Sequence, residues 1–387
     1  MKVAYVVQRY GDIKAGAEAH CRAFAHRLAA RGVAVDVFTT CARDYRTWAN
    51  ELPAGTSSDG YVSVHRFPVV EPRSSAFDTV SNEVLPRPWL VPRERQEEWM
   101  RMQGPHSPAL IDALGSAARD YDVVAFITYL YYTTYFGLPV VGERAVLHPT
   151  AHDEPAIYLS MFDDVFAAPR GLVFLTDEEK AFVHRRFGAA QPSIVAGVGV
   201  EPPLDCDPAR ARDRFGLAGP YVLYLGRIDP LKGMDHLPAF FARFGERTGA
   251  AADLVVAGDG NAPPGVRALS EVSEQEKWDL LAGAEALVHP SYHESFALTL
   301  LEAWSVGTPV FVNGASDVLV GHCMRSNGGL WYRSYAEFEV GLGRLLGDDG
   351  LRRALGAQGE SYVRSTYRWD EIIDRYLGFL ETVRPAA

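Results

Sequence analysis

The chain has 387 residues, more than one hydrophobic core usually serves, so two domains are the default expectation. Its 48% hydrophobic content is that of a globular protein, and its net charge of -11 excludes nucleic acid as the main partner, because backbone binding needs a basic surface to displace counterions. No apolar run is long enough to span a bilayer, the start Met1-Lys2-Val3-Ala4-Tyr5-Val6-Val7 lacks the apolar core of a signal peptide, and the four cysteines form no CxxC pair, so a cytoplasmic protein with reduced thiols is expected.

Short apolar runs rich in β-branched residues alternate with longer helical patterns, which is the mark of parallel βαβ units. In the first half the predicted strands are 3–7, 33–39, 62–67, 122–127, 145–148 and 172–175, with a clear helix over 18–31. The segment Gly197-Val198-Gly199-Val200-Glu201-Pro202-Pro203 reads as a linker, which sets domains at 1–200 and 201–367. Beyond it the predicted strands are 221–225, 254–257, 286–289, 309–312 and 329–332, with a helix over 274–282. The tail carries Trp369, Ile372, Ile373, Tyr376, Leu377 and Leu380 at helical spacing, so 368–387 is expected to cover a groove by returning to the first domain.

Ligands of a parallel sheet bind outside the carboxyl ends of its strands, where helix N-termini offer unpaired amides. Gly226 and Arg227 stand at such an end, after 221–225, and Lys232 and Gly233 follow closely. A guanidinium gives phosphate two parallel hydrogen bonds and an ammonium gives it a mobile charge, so Arg227 and Lys232 suit a diphosphate, with Gly233 letting the backbone come near. The plain alternative is two solvated cations in a surface loop. Gly258-Asp259-Gly260, after the next strand, reads by itself as a turn.

The stretch Glu294-Ser295-Phe296-Ala297-Leu298-Thr299-Leu300-Leu301-Glu302 sets two carboxylates across a helix start. Eight residues on a helix make a little over two turns, so Glu294 belongs to the loop and Glu302 to the helix. Glu294, with the amides of Phe296, Ala297 and Leu298, would face sugar hydroxyls, and Glu302 would accept from a ribose diol. The competing account is a carboxylate serving the helix dipole plus an unrelated surface Glu. Gly307-Thr308-Pro309-Val310, a helix stop followed by a strand, argues that the helix is buried, and a buried helix rarely carries an unpaired Glu.

The run from Gly226-Arg227 through Lys232-Gly233, Gly258-Asp259-Gly260, Pro290-Ser291, Glu294 and Glu302 to Gly307-Thr308-Pro309-Val310 resembles the retaining glycosyltransferases of family 4. The resemblance implies the GT-B fold, α/β, with two Rossmann-like doubly wound parallel-sheet domains facing across a cleft. It implies that Arg227, Lys232, Gly226 and Gly258 serve the donor diphosphate, that Glu294, Ser295, Phe296, Ala297 and Leu298 serve the donor sugar, and that Glu302 serves the ribose. It also implies that the base is read near 268–272, including Glu271 and Val272. More weakly, Ala15-Gly16-Ala17-Glu18 resembles the family's Gly-Gly-x-Glu loop, which places Gly16 and Ala17 by the diphosphate and makes Ala15 a departure. Ala297 also replaces a frequent glycine, a change that looks mild since its amide survives.

His148-Pro149-Thr150-Ala151-His152-Asp153-Glu154 follows a predicted strand, and His152 resembles the family histidine near the reacting sugar. Asp153 and Glu154 would position an acceptor or cap the next helix. His20, His289 and His293 make no ligand constellation, and Asp205-Cys206-Asp207 sits by Pro208 where a helix cap is expected, so no metal and no cofactor are expected. Two aromatic segments of the first domain suit acceptor contact: 86–110, with Trp89, Arg93, Arg95 and Trp99, and 129–136, whose tyrosines could stack on a sugar ring. For the first, a surface helix packed by its Trp residues is the favoured reading.

The expected activity is hexose transfer with retention from a UDP- or GDP-sugar to a hydroxyl of a sugar, lipid-linked or small-molecule acceptor, in cell-surface glycan or natural-product glycoside synthesis. At most peripheral contact with the inner membrane face is expected. A nucleotide-sugar epimerase on the same fold, a two-lobed sugar-binding protein and a catalytically silent subunit are the alternatives.

Overall fold

The computed structural model describes residues 1–13 and 15–385, which divide into two compact units, Met1–Gly197 with Asp370–Ala387, and Val198–Trp369. The first is built on β1 (Lys2–Val6), β2 (Ala34–Thr40), β3 (Gly55–Asp59), β4 (Val62–Phe67), β5 (Val123–Ile127), β6 (Ala145–His148), β7 (Gly171–Phe174) and β8 (Ser193–Val195). Its sheet runs in the order β3-β4-β2-β1-β5-β6-β7-β8. All neighbours are parallel except β3, which pairs antiparallel with β4. The helices are α1 (Gly16–Ala30), α2 (Phe77–Val84), α3 (Arg93–Gln103), α4 (Pro108–Ala117), α5 (Tyr132–Val141), α6 (Met161–Ala167) and α7 (Asp177–Phe187).

The order reverses at β1, which lies between β2 and β5, and such a reversal is where ligands of an open parallel sheet bind. Central strands such as Val123–Ile127 are buried at every residue, because helices cover both faces of a parallel sheet. That explains why continuous apolar runs located them. The strands that composition did not predict are β3 and β8 in this unit: β3 reads Gly-Thr-Ser-Ser-Asp on an exposed edge, and β8 is three residues of a half-buried edge. An edge strand has a neighbour on one side only and carries no apolar signature.

The chain end closes the first unit. Trp369–Val383 is helical, and Ala386 and Ala387 lie outside the described residues. Ile372, Ile373, Tyr376 and Leu380 are at most 1% exposed, which is the groove-covering role their spacing predicted. Tyr376 sends its hydroxyl into a buried polar chain: it meets Tyr5 Oη at 3.2 Å and His148 Nε2 at 3.0 Å, and His148 Nδ1 lies 3.0 Å from His20 Nε2. Arg31 binds Asp370 and Asp374 at the rim.

The second unit carries α8 (Pro208–Phe215), β9 (Tyr221–Leu225), α9 (Leu237–Thr248), β10 (Asp253–Ala257), β11 (Arg267–Leu269), α10 (Glu274–Gly283), β12 (Ala286–His289), α11 (Leu298–Ser305), β13 (Val310–Asn313), α12 (Asp317–Ser326), β14 (Gly329–Tyr332), α13 (Tyr335–Gly347) and α14 (Asp349–Thr366). Its sheet is parallel throughout, in the order β11-β10-β9-β12-β13-β14, with β9 at the reversal. The edge strand β11, only three residues long and partly exposed, lay outside the predicted set. Asp207 caps α8 by accepting from the Ala209 amide at 2.9 Å, and Asp205 binds Arg210 at 3.1 Å, so the Asp-x-Asp segment does the capping its position suggested.

Candidate active site

Every donor-site residue expected in the second half lies in a loop or helix start at the carboxyl edge of the second sheet, except Glu302, one turn into α11. Two of these loops are locked together by glycine. Gly233 sits at φ +80, and a Cβ there would come within 2.1 Å of the Pro290 carbonyl oxygen. The glycine was expected to admit a phosphate; its observed neighbour is instead the loop after β12. That approach carries Lys232 to Glu294, and Lys232 Nζ donates to Glu294 Oε1 at 2.5 Å. Gly258, at φ +156, makes the same kind of contact: a Cβ would lie 1.8 Å from the Gly226 carbonyl oxygen, so it joins the loops after β10 and β9.

Glu294 is therefore a buried carboxylate whose counter-ion comes from another strand's loop. Burial works against its charge, but Lys232 and His289 beside it, with hydrogen bonds from Lys232 and Ser291, hold the carboxyl at about 2. His289, 3.7 Å from Glu294, stays neutral because burial pulls its imidazole down to about 4. Arg227 is exposed at the end of β9, and its carbonyl accepts from Tyr224 Oη at 2.5 Å, which fixes the turn beneath the guanidinium.

Helix α11 begins without a side-chain cap, so its first amides point out of the helix beside Glu294. Its N-cap, Ala297, adopts φ +62 and ψ +61. The replacement of glycine is thus not mild: a side chain in the left-handed region costs about 1–2 kcal/mol, held here by the surrounding packing. His322, fully buried, donates from Nε2 to the Phe296 carbonyl at 3.0 Å and anchors this loop from behind. Burial lowers its imidazole to about 3, so it remains a neutral donor.

Glu302 is 7% exposed and is paired, as its buried helix required. Its partner is Lys277, 2.6 Å from Oε1, which also reaches Glu274 at 2.6 Å. Burial alone would lower the Lys277 ammonium, but Glu302 and Glu274 hold it above its ordinary value. Sequence reasoning missed Lys277. The available signal was the capping box Ser273–Glu276, which marks the start of α10 and sets Lys277 one turn in. Glu271 takes φ +55 just before that helix, and Val272 is half-buried beside it.

In the first unit, Gly16 and Ala17 open α1, whose N-cap Ala15 is extended and gives no side-chain cap. Among the described residues nothing lies within 4 Å of where a Cβ on Gly16 would stand. Glu18 is buried and binds Arg9 at 2.5 Å and Gln8 at 3.0 Å, tying this helix start to the end of β1. His152 lies beyond β6, 3.9 Å from Glu154. Glu154 does not cap the following turn: it accepts from Tyr129 Oη at 2.5 Å, and Asp153 accepts from Tyr158 at 2.8 Å. The loop is held by Glu179, unpredicted, which accepts from the Ala151 amide at 2.7 Å and the Leu175 amide at 2.6 Å. The Thr176-x-x-Glu179 pattern of a helix start was its signal.

The aromatic segments divide. Tyr129, Tyr132 and Tyr135 are core residues, at most 9% exposed, so they cannot stack on a sugar; Tyr131 is half-buried at the surface. Trp99 is buried under α3, whereas Trp89 is 71% exposed, so only one of the pair packs the helix. Among the described residues no group of His, Cys, Asp and Glu is arranged to hold a metal, and no helix is long and apolar enough to cross a membrane.

Residues 208–361, which contain every element from Arg227 to Glu302, match the family model described as glycosyl transferases group 1. Over this segment the chain is similar to the glycosyl transferases group 1 family. Its relatives include the D-inositol 3-phosphate glycosyltransferase of Streptomyces bingchenggensis, 30% identical over 59% of the chain. The chain spans 56% of that relative's length. The enzyme of the same name from Stackebrandtia nassauensis is 26% identical over 92% of this chain and 84% of its own. Among solved structures, the sucrose-phosphate synthase of Thermosynechococcus elongatus superposes with a TM-score of 0.75 at 18% identity, covering 99% of this chain and 98% of that one. Anabaena Alr3699/HepE in complex with UDP and glucose gives 0.71 at 14% identity, covering 99% and 100%. The chain has the GT-B fold that these structures share.

Proposed function

We propose that this protein is a group 1 glycosyltransferase that transfers a hexose, with retention, from a nucleoside diphosphate sugar to an acceptor hydroxyl. The observation that carries the reading is the contact of Lys232 with Glu294 beside the uncapped start of α11. It brings a cation, a fixed carboxylate and outward-pointing amides to one edge of the sheet, which is what departure of a diphosphate from a sugar needs. The UDP held by Anabaena Alr3699/HepE supports a nucleotide donor.

In this assignment Glu294 and the amides of Phe296, Ala297 and Leu298 take the sugar hydroxyls, with Ser295 between them. Glu302, which accepts from Lys277 at 2.6 Å, takes the ribose diol. Arg227 and Lys232 neutralise the leaving diphosphate at the turn made by Gly226 and Gly258, so the reading needs no metal. Glu271 and Val272 border the base. His152, Gly16 and Ala17 keep the sugar and diphosphate roles that the resemblance implies. The donor phosphate is the acceptor's base, with no covalent intermediate, and the acceptor is a sugar, a lipid-linked sugar or a small molecule of surface-glycan or natural-product synthesis.

A thermal-shift screen of UDP, GDP, dTDP and their sugars tests it, since a ligand that binds only the folded state raises the melting temperature. Stabilisation by UDP or GDP is expected; no shift with any nucleotide would overturn the proposal. Donor incubated without acceptor separates transfer from epimerisation, which would rearrange the sugar.

A further inference from the structure

The carboxyl edge of the first sheet carries a second cluster that the donor site does not use. It is built from the loops after four adjacent strands, β4, β2, β1 and β5. Arg9 follows β1, Tyr45 and Trp48 follow β2, Arg73 follows β4, and Tyr131 follows β5. Trp48 packs edge-on to Tyr131, with ring centres 5.7 Å apart, and the Arg73 guanidinium lies 5.5 Å from Trp48 and 4.3 Å from Phe77. Arg9 lies 5.4 Å from Tyr45. Tyr45 and Tyr131 both pack on the small core of Ala42, Trp48 and Val69.

The two arginines differ in what balances them. Arg9 is neutralised by Glu18 at 2.5 Å. Arg73 is half-buried, and among the described residues its side-chain hydrogen bonds go to neutral oxygens: one terminal nitrogen donates to the Gln103 carbonyl at 3.0 Å and to Gln103 Oε1 at 3.2 Å. Its Nε is buried without a partner among the described residues. Asp44 and Asp78 act on it through space, yet neither reaches ion-pair distance. Burial lowers the guanidinium from its ordinary value, the direction expected of a cation short of a counter-ion.

The backbone around it is strained. Trp48 holds φ +53 and Thr128, after β5, holds φ +72, conformations that cost a bulky or branched residue energy and that gather at ligand sites. Trp48 is kept there by its Nε1, which donates to the same Gln103 carbonyl as Arg73, at 2.8 Å. The Arg73 amide in turn donates to the Thr47 carbonyl at 2.7 Å. A half-buried, undersatisfied fork beside aromatic rings, at the ligand-binding edge of a parallel sheet, has the chemistry to take an anion attached to a sugar ring.

We infer that this edge holds the acceptor, that the acceptor carries a phosphate or carboxylate, and that Arg73 is its counter-ion, with the half-buried Tyr45 and Tyr131 lining the ring and the buried Trp48 supporting them from behind. The inference rests on the glycosyltransferase reading for the word acceptor, while the anion site stands on its own geometry.

The test is titration calorimetry on the full chain with inorganic phosphate, glucose 6-phosphate, glucuronate and glucose, and separately with UDP and GDP. Glucose 6-phosphate or glucuronate is expected to bind at least about tenfold more tightly than glucose, and Arg73→Gln to remove that advantage, as loss of a charged hydrogen bond would. Whichever of the two acidic sugars binds identifies phosphate or carboxylate as the group. Equal binding of glucose and the acidic sugars, no binding of any anion, or an acidic-sugar preference unchanged in Arg73→Gln overturns the inference. If Arg73→Gln does not fold, Arg73→Lys keeps the charge without the fork and is expected to retain only part of the preference; full retention counts against Arg73. Nucleotide binding without anion binding leaves the activity reading standing and removes this one, and the reverse result does the opposite.

Discussion

Lys232 and Glu294 meet at 2.5 Å although 62 residues separate them, and the contact exists because Gly233 lets one loop touch the next. The cation intended for a diphosphate is thus also what keeps the buried Glu294 ionised. Lys232→Ala is expected to cut turnover by roughly 100- to 1000-fold, the scale for losing a preorganised charge at a leaving group. Steady-state kinetics with an unchanged circular dichroism spectrum would confirm it, and wild-type turnover would refute the assignment.

Gly233→Ala tests the contact without touching either charge. Its Cβ would lie 2.1 Å from the Pro290 carbonyl oxygen at φ +80, so the two loops must part. Activity is expected to fall nearly as far as in Lys232→Ala, with stability lower by about 1–3 kcal/mol. A variant as active as wild type would show that the loop junction does not position the site.

Ala297→Gly should do the reverse. It relieves a left-handed side chain at the α11 N-cap and is expected to stabilise the protein by about 1 kcal/mol, seen as a higher urea midpoint with an unchanged slope. A lower midpoint would mean the neighbours compensate the strain.

The Lys277–Glu302 pair is buried, so removing one partner strands a charge. Lys277→Met is expected to cost about 3–5 kcal/mol and to weaken nucleotide binding, and adding Glu302→Gln to recover much of the stability but not the binding. Recovery of both would separate Glu302 from the ribose.

Stability should fall as pH drops from about 6.5 to about 4. His20, His289 and His322 have imidazoles lowered to about 3, 4 and 3, and His148 is lowered too, all by burial. The folded state leaves them neutral while the unfolded chain takes up protons, so each favours unfolding by up to about 1.4 kcal/mol per pH unit in that window. Glu179, raised to about 8 by burial, binds its proton in the folded state and opposes them with a single proton. Glu294, held at about 2, contributes stability above the ordinary carboxylate range that is lost only as pH falls toward 2. Urea unfolding at a series of pH values would reveal the slope; a flat profile from pH 6.5 to 4 would contradict buried neutral histidines.

Central strands were legible because burial on both faces forces continuous apolar runs, as at Val123–Ile127 and Tyr221–Leu225. The edge strands were not, since Gly55–Asp59 meets water and its residues answer to that. Glu294 in a loop and Glu302 on a buried helix followed from helical geometry alone. Lys277 and Glu179 did not stand out, because their partners lie in other elements and a lysine or glutamate near a helix start reads as a cap.

By itself the sequence determined the alternation of strands and helices, the order of the donor-side residues and the groove-covering C-terminal helix, all of which depend on local periodicity and spacing. The tertiary structure decided the pairings: Lys232 with Glu294, Lys277 with Glu302, and an Arg73 left with neutral partners. Those depend on which strands become neighbours and how closely glycine lets their loops approach, distances that no spacing along the chain encodes.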